Sequence, residues 1–235
     1  MECIMRNIKL PDWFTMLNAV MGFGAAFMIY NGRFDVAAML IIIATFLDGV
    51  DGAVARRFES GDFGEQLDSF ADIISFGFVP ALLLSTAIKW DHPYILLGAS
   101  ILFFLCGMLR LTRFSVVDSG PKQFEGIPIT HAGVSVALMI YLYGHYPIPP
   151  EYILICSTAL SLLMVSTVNY PKPRYTRSLP LLTLIFIATP VLFFVDSEYT
   201  VYVAFMLFSM MIVYLISPLT AYLIRCASAI VSAKT

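Results

Sequence analysis

Four carboxylates, Asp48, Asp51, Asp68 and Asp72, stand in a part of the chain otherwise apolar enough to lie in a membrane. Asp48 and Asp51 are spaced i, i+3, and Asp68 and Asp72 are spaced i, i+4, so on two neighbouring helices each pair projects from one face. An Asp at the centre of a membrane helix costs about 2.5 to 3.5 kcal/mol on the insertion scale, and four pooled between two helices also repel one another. A divalent cation answers both problems. Carboxylate oxygens with little sulfur or imidazole nearby suit hard ions, so Mg2+, Mn2+ or Ca2+ is expected rather than zinc or copper. Interleaved with the acids are Gly49, Gly52, Ala53, Ala55 and Gly64, and one turn beyond Gly52 comes Arg56. Small residues in membrane helices commonly serve close packing, which is the plain reading for Gly49 and Ala53. At Gly52, Ala55 and Gly64, beside the acids, a missing side chain also lets a ligand approach the backbone. Arg56 offers a planar fork to phosphate, whereas Arg57 is read as a topology signal. Metal, small-residue surface and arginine together describe a site for a diphosphate.

The elements that must position this cluster are membrane helices. The 235 residues are 59% hydrophobic and 13% charged, where soluble domains carry roughly 25% charged residues, and the mean hydropathy is +0.83. Apolar runs of about 17 to 25 residues recur along the chain, which excludes a soluble domain with one anchor. The expected fold is an all-α, polytopic helical bundle forming one domain over residues 1–235. A short amphipathic segment at residues 1–12, with Arg6 and Lys9 among apolar residues, would lie on the membrane surface. About eight spans follow, near 13–30, 34–58, 63–88, 94–114, 129–146, 150–168, 179–195 and 199–224. They are separated by turn chemistry such as Asn31-Gly32, Ser60-Gly61, Asp91-His92-Pro93 and Pro171-Lys172-Pro173. No removable signal peptide is read at the N-terminus. The four cysteines, Cys3, Cys106, Cys156 and Cys226, lack metal-site or disulfide-framework spacing and are read as packing residues.

Charge placement bears on orientation. With eight spans, Arg33 and Lys89 alone among the 14 basic residues fall on the side opposite the N-terminus. That asymmetry puts both termini in the cytoplasm and the acid cluster near the cytoplasmic face of the cell membrane. A net charge of -2 gives no reason to expect a nucleic-acid partner.

The pattern D-x2-D-G-x2-A-R-x7-G-x3-D-x3-D, running from Asp48 to Asp72, closely resembles the signature of the CDP-alcohol phosphatidyltransferases. The family spacing from Arg to Gly is usually one residue longer, a difference falling in the loop around Gly61. Pro11-Asp12-Trp13-Phe14-Thr15-Met16-Leu17-Asn18 resembles the family's Pro-Asn-x2-Thr opening, with Asp12 where Asn is usual. Three stretches are similar to the bacterial and archaeal phosphatidylserine synthases: Ser75 to Ala81, Arg110 to Ser115, and Phe124 to Pro128. The resemblance implies that a CDP-activated lipid donates its phosphatidyl group to an alcohol and CMP leaves. It implies that Asp48, Asp51, Asp68 and Asp72 hold Mg2+ or Mn2+, that Asp72 is also the general base, and that Thr15, Asn18, Gly52, Ala55, Arg56 and Gly64 bind the CDP-lipid. L-serine is the favoured acceptor, with glycerol 3-phosphate or inositol phosphate as alternatives, and family members are commonly homodimers. Serine's carboxylate needs a cation, and Arg110 and Arg113, i, i+3 at the end of the fourth span, are the candidates. The plainer reading makes both of them interfacial anchors.

Other residues receive structural readings. His131 is read as a hydrogen-bonded structural histidine in preference to a site residue, and His92 and His145 fall on the outer side. Trp13 and Trp90 are read as interface anchors. Two rival functions fit the acids less well. An intramembrane prenyltransferase also uses two Asp-rich motifs, but widely separated ones, whereas 16 residues lie between Asp51 and Asp68. A cation-coupled transporter would distribute acids along a path, and no inverted repeat is visible.

Overall fold

The computed structural model describes residues 9–58, 62–116, 123–171, 179–195 and 198–232. In chain order the elements are α1 (Leu10–Tyr30), α2 (Phe34–Phe58), α3 (Asp62–Asp72), a π-helical turn (Ile73–Phe78), α4 (Val79–Ala87), α5 (Pro93–Val116), β1 (Gln123–Glu125), α6 (Ile129–Tyr143), α7 (Pro150–Met164), β2 (Asn169–Pro171), α8 (Leu179–Phe194) and α9 (Thr200–Ser232). Each expected span has helix at its place. Among the described residues, five stretches are long and apolar enough to cross a membrane: Leu10–Tyr30, Phe34–Ala55, Phe63–Ala87, Pro93–Ser115 and Thr200–Pro218. The apolar helices Ile129–Tyr143, Pro150–Met164 and Thr183–Phe194 are shorter. The result is a helical, multi-pass membrane protein.

Helix α1 is built inside out. Its buried stripe is small or polar up to a closing Ile29: Pro11, Asp12, Thr15, Asn18, Gly22, Ala25 and Ile29. Leu10, Trp13, Leu17, Val20, Phe23, Phe27 and Tyr30 are exposed. In a bilayer the large apolar side chains meet lipid and the small ones allow backbones to approach. The helix begins earlier than expected, so Leu10 to Asp12 form its first turn and not the end of an interfacial segment. The Asp12 carboxylate accepts the Lys9 N–H at 2.7 Å, the capping arrangement that satisfies an orphan donor at a helix start. Residues 1–8 lie outside the described residues.

Helix α6 is the hub. It is buried from Ala132 through Leu142 and packs against α2, α4, the π turn, α7 and α9. The π turn is explained by Pro80, which has no N–H to give the Phe76 carbonyl and whose ring would crowd it. The chain widens instead, and the Val79 N–H reaches back five residues to the Ile74 carbonyl. The displaced Phe76 carbonyl lies against Gly133 of α6, where an added Cβ would sit 2.8 Å from it.

One element departs from the all-helical expectation. Strands β1 and β2 pair antiparallel, with Phe124 opposite Tyr170 and Glu125 opposite Asn169. The Gly126 N–H donates to the Val168 carbonyl at 2.8 Å and the Ile127 N–H to the Leu163 carbonyl at 3.2 Å. Gly126 has φ +76°, and a Cβ there would collide with the Met164 carbonyl. This clamp ties the segment before α6 to the end of α7.

Candidate functional site

Helix α2 carries Asp48 and Asp51, and α3 carries Asp68 and Asp72. One carboxylate oxygen each from Asp48, Asp68 and Asp72 lie within 4.8 Å of one another. Asp51 stands one turn from Asp48, near enough to interact electrostatically with Asp48 and Asp68, and accepts a hydrogen bond from the Thr15 hydroxyl. No imidazole or thiol enters the trio, so the donor set fits a hard divalent cation.

Thr15 and Asn18, expected on the donor, are buried and hydrogen-bonded to the acids. Thr15 is 1% exposed and Asn18 0%. The Asn18 Nδ2 donates to Asp72 Oδ1 at 3.5 Å, and its main-chain carbonyl accepts the Ser75 hydroxyl at 3.0 Å. Gly22, one turn further along α1, makes room for Ser75, since a Cβ there would run into its Oγ. Helix α1 therefore braces two of the four carboxylates.

The small residues differ in their surroundings. Gly64 is buried, and Gly52 and Ala55 are half-buried. Gly49 and Ala53 are exposed, and a Cβ on Gly49 would meet nothing within 4 Å. Among the described residues nothing packs on Gly49, so the packing role expected for it is not realised there. Arg56 lies near the end of α2, with its side chain outside the described residues, as is the loop at 59–61. Arg57 is exposed.

The two α5 arginines part company. Arg113 forms an ion pair with Glu125 of β1 and donates to the Ser166 carbonyl at 3.3 Å. It is engaged with the strand clamp. Arg110 is half-buried, within electrostatic reach of Asp72, Asp48 and Tyr214, with its guanidinium carbon 6.0 Å from the Phe114 ring centroid. Among the described residues it has no hydrogen bond and no ion pair within 4 Å. A half-buried fork donor so placed is suited to an anionic ligand.

Beside Arg110 stands an aromatic group that the sequence did not single out. Tyr214 of α9 stacks on Tyr170 of β2 with centroids 5.6 Å apart and lies 4.7 Å from His131. The His131 Nε2 is 3.1 Å from the Met211 carbonyl, which can only accept, so that nitrogen carries the proton. His131 is therefore a hydrogen-bonded structural residue, as expected. Burial pushes the Tyr170 hydroxyl above its ordinary pKa, and it donates to the Leu215 carbonyl at 3.5 Å. Glu125 and Phe124 stood in a recognised stretch, but nothing in the sequence distinguished Tyr214 from the other aromatic residues of α9.

Acids at the junction of two membrane helices, a bracing third helix and an arginine without a hydrogen bond among the described residues form a membrane site suited to a divalent cation and an anionic ligand. The family model for CDP-alcohol phosphatidyltransferases matches residues 8–168. The chain belongs to that family and is a membrane transferase of phospholipid biosynthesis. It is 40% identical over 170 residues to the archaetidylserine synthase of Methanothermobacter thermautotrophicus, covering 70% of each chain. It is 32% identical over 163 residues to the CDP-diacylglycerol–serine O-phosphatidyltransferase of Bacillus subtilis, covering 69% of this chain and 89% of that one. To the enzyme of the same name from Methanocaldococcus jannaschii it is 35% identical over 173 residues, 73% of this chain and 78% of that one. The prenyltransferase and transporter readings give way to this membership.

Proposed function

We propose that the protein transfers a phosphatidyl or archaetidyl group from a CDP-activated lipid to the hydroxyl of L-serine, releasing CMP. The observation that carries this reading is the carboxylate trio within 4.8 Å with the uncommitted Arg110 in electrostatic reach of it. The serine-synthase names of the similar proteins support the acceptor.

Asp48, Asp68 and Asp72, with Asp51 beside them, would hold Mg2+ or Mn2+. Bound there, the ion supplies charge neutralisation at the donor's diphosphate and makes CMP a better leaving group. Gly52, Ala55 and Gly64 admit the cytidine side of the donor, and Arg56 pairs with its phosphate. Arg110 takes the serine carboxylate. Asp72 accepts the proton of the serine hydroxyl. As that oxygen bonds to the lipid-side phosphorus, the phosphoanhydride bond opens toward CMP, with catalysis residing in alignment and electrostatics. Arg113 acts at one remove by fixing α5 to the strand clamp.

The same reading assigns residues 1–235 to one domain with eight spans in the cell membrane, both termini and the acid cluster toward the cytoplasm, and a homodimer as the working assembly. The deciding experiment is CMP release by the purified protein with CDP-diacylglycerol or its archaeol counterpart and Mn2+ or Mg2+, comparing L-serine, glycerol 3-phosphate, inositol phosphate and no acceptor. Release confined to serine and abolished by chelation is expected. Release with another alcohol would discard serine while keeping the family chemistry, and no metal-dependent release with any combination would overturn the mechanism.

A further inference from the structure

We propose that the side-chain carbonyl of Asn18 is a further oxygen donor to the cation site of Asp48, Asp68 and Asp72. The proposal rests on the cation reading above and extends it to a residue of a third helix.

The starting observation is an imbalance. Asn18 is 0% exposed, and its Oδ1 is the buried side-chain polar atom that lacks a hydrogen-bond partner among the described residues. An amide carbonyl sealed from water without a donor carries an uncompensated desolvation cost. Its amide nitrogen is already assigned, because Asp72 Oδ1, 3.5 Å away, can accept and not donate when ionised. Turning the amide over would set two oxygens against each other. The nearby Ser75 hydroxyl is committed to the Asn18 main chain, and the Thr15 hydroxyl to Asp51. No neighbouring donor on α1 or the π turn therefore answers Oδ1.

A cation does. Amide bond lengths put Oδ1 about 2.2 Å from Nδ2, so Oδ1 lies within about 6 Å of Asp72 Oδ1. Hard divalent ions take carbonyl oxygens readily alongside carboxylates. A neutral oxygen also adds a ligand without adding to the repulsion among four acids. The position on α1 has a further logic: Asp48 and Asp68 approach from α2 and α3, and a donor from α1 would close the ligand set from a third side.

The test is metal binding by the full-length protein in detergent, with neither lipid donor nor serine present, so that the outcome is independent of the acceptor. Titration calorimetry with Mn2+ should give Asn18→Leu a dissociation constant at least tenfold above that of the unaltered chain. Loss of affinity alone would also follow if Asn18 merely positioned Asp72, so Asn18→Cys is the discriminating variant. A sulfur in the ligand set favours a softer ion. Asn18→Cys should shift preference from Mn2+ toward Cd2+ by tenfold or more and add sulfur-to-cadmium charge-transfer absorption absent from the unaltered protein. Gel filtration and thermal midpoints establish that each variant is folded. Weakened Mn2+ binding in Asn18→Leu without a Cd2+ shift in Asn18→Cys would overturn the proposal in favour of positioning alone. Unchanged binding in Asn18→Leu would overturn it outright. If the unaltered protein binds no Mn2+, the cation reading itself fails and takes this proposal with it.

Discussion

Polar side chains are handled differently at the two ends of this bundle. In the C-terminal helices several hydroxyls are satisfied within their own helix: Ser161 donates to the Ser157 carbonyl, Thr189 to Ile185 and Ser209 to Phe205, each at 2.8 Å. Around α1 to the π turn they reach between helices: Thr15 to Asp51, Asn18 to Asp72, and Ser75 to the Asn18 main chain. A back-bonded hydroxyl silences a polar group and leaves the helix free to face lipid. A bond between helices fixes one side chain relative to another, at the expense of holding both helices in register. Around the four carboxylates the bundle uses the second arrangement, and away from them His131 and Tyr170 use it to reach the main chain of α9.

This contrast can be broken by mutation. The largest effect is expected where an aimed group is also chemical: Asp72→Asn should lower turnover about 10^2- to 10^4-fold, and Asp68→Asn comparably, with gel filtration and helicity unchanged. Retained turnover in both would detach the chemistry from the acids. Next come the paired arginines. Arg110→Ala should raise the serine KM about 10- to 100-fold, the worth of a charge-assisted hydrogen bond. Arg113→Ala should shift KM less than about threefold but lower the thermal midpoint, and similar KM effects from both would show that they share one ligand. Gly126→Ala probes the same clamp, with about 1 to 3 kcal/mol of strain expected from its positive φ and read as a lower midpoint. The smallest effect belongs to the self-satisfied groups: Thr189→Val and Ser209→Ala should leave stability within about 0.5 kcal/mol and activity unchanged. A large activity loss from either would mean that the C-terminal helices take part in aiming.

Much of this could be read from the chain before folding. Asp48, Asp51, Asp68 and Asp72 were visible because a charge in an apolar run needs a partner, and the helices because their breaks carry Gly, Pro, Asn and Asp. What stayed hidden depended on contacts distant in sequence. Arg110 and Arg113 share a helical spacing that predicted a shared task. Their separation depends on Glu125 and Ser166, whose approach is decided by a strand pair too short to show periodicity. Asn18 and Thr15 resembled donor-binding residues, and their attachment to Asp72 and Asp51 depends on how α1 rolls against α2 and α3. Asp12, where Asn is usual, found its use locally as a cap to α1. Tyr214 lies in α9, beyond the matched residues 8–168, in a run of apolar and aromatic residues with no pattern to set it apart.

The π-helical turn at Ile73–Phe78 also constrains how this chain can change length. A helix advances about 100° per residue, and the wider π turn absorbs its surplus residue, which keeps two shafts in phase: α3, which bears Asp68 and Asp72, and α4, which is seated in the bundle. A further residue inserted there, with no second π turn to absorb it, would scarcely lengthen the span. It would rotate the acids by more than a quarter turn relative to the seat of Gly77 and Phe76 against Gly107 and Gly133. Length variation in this segment should therefore be lethal to function in steps of one, while the connecting loops take insertions with far less consequence.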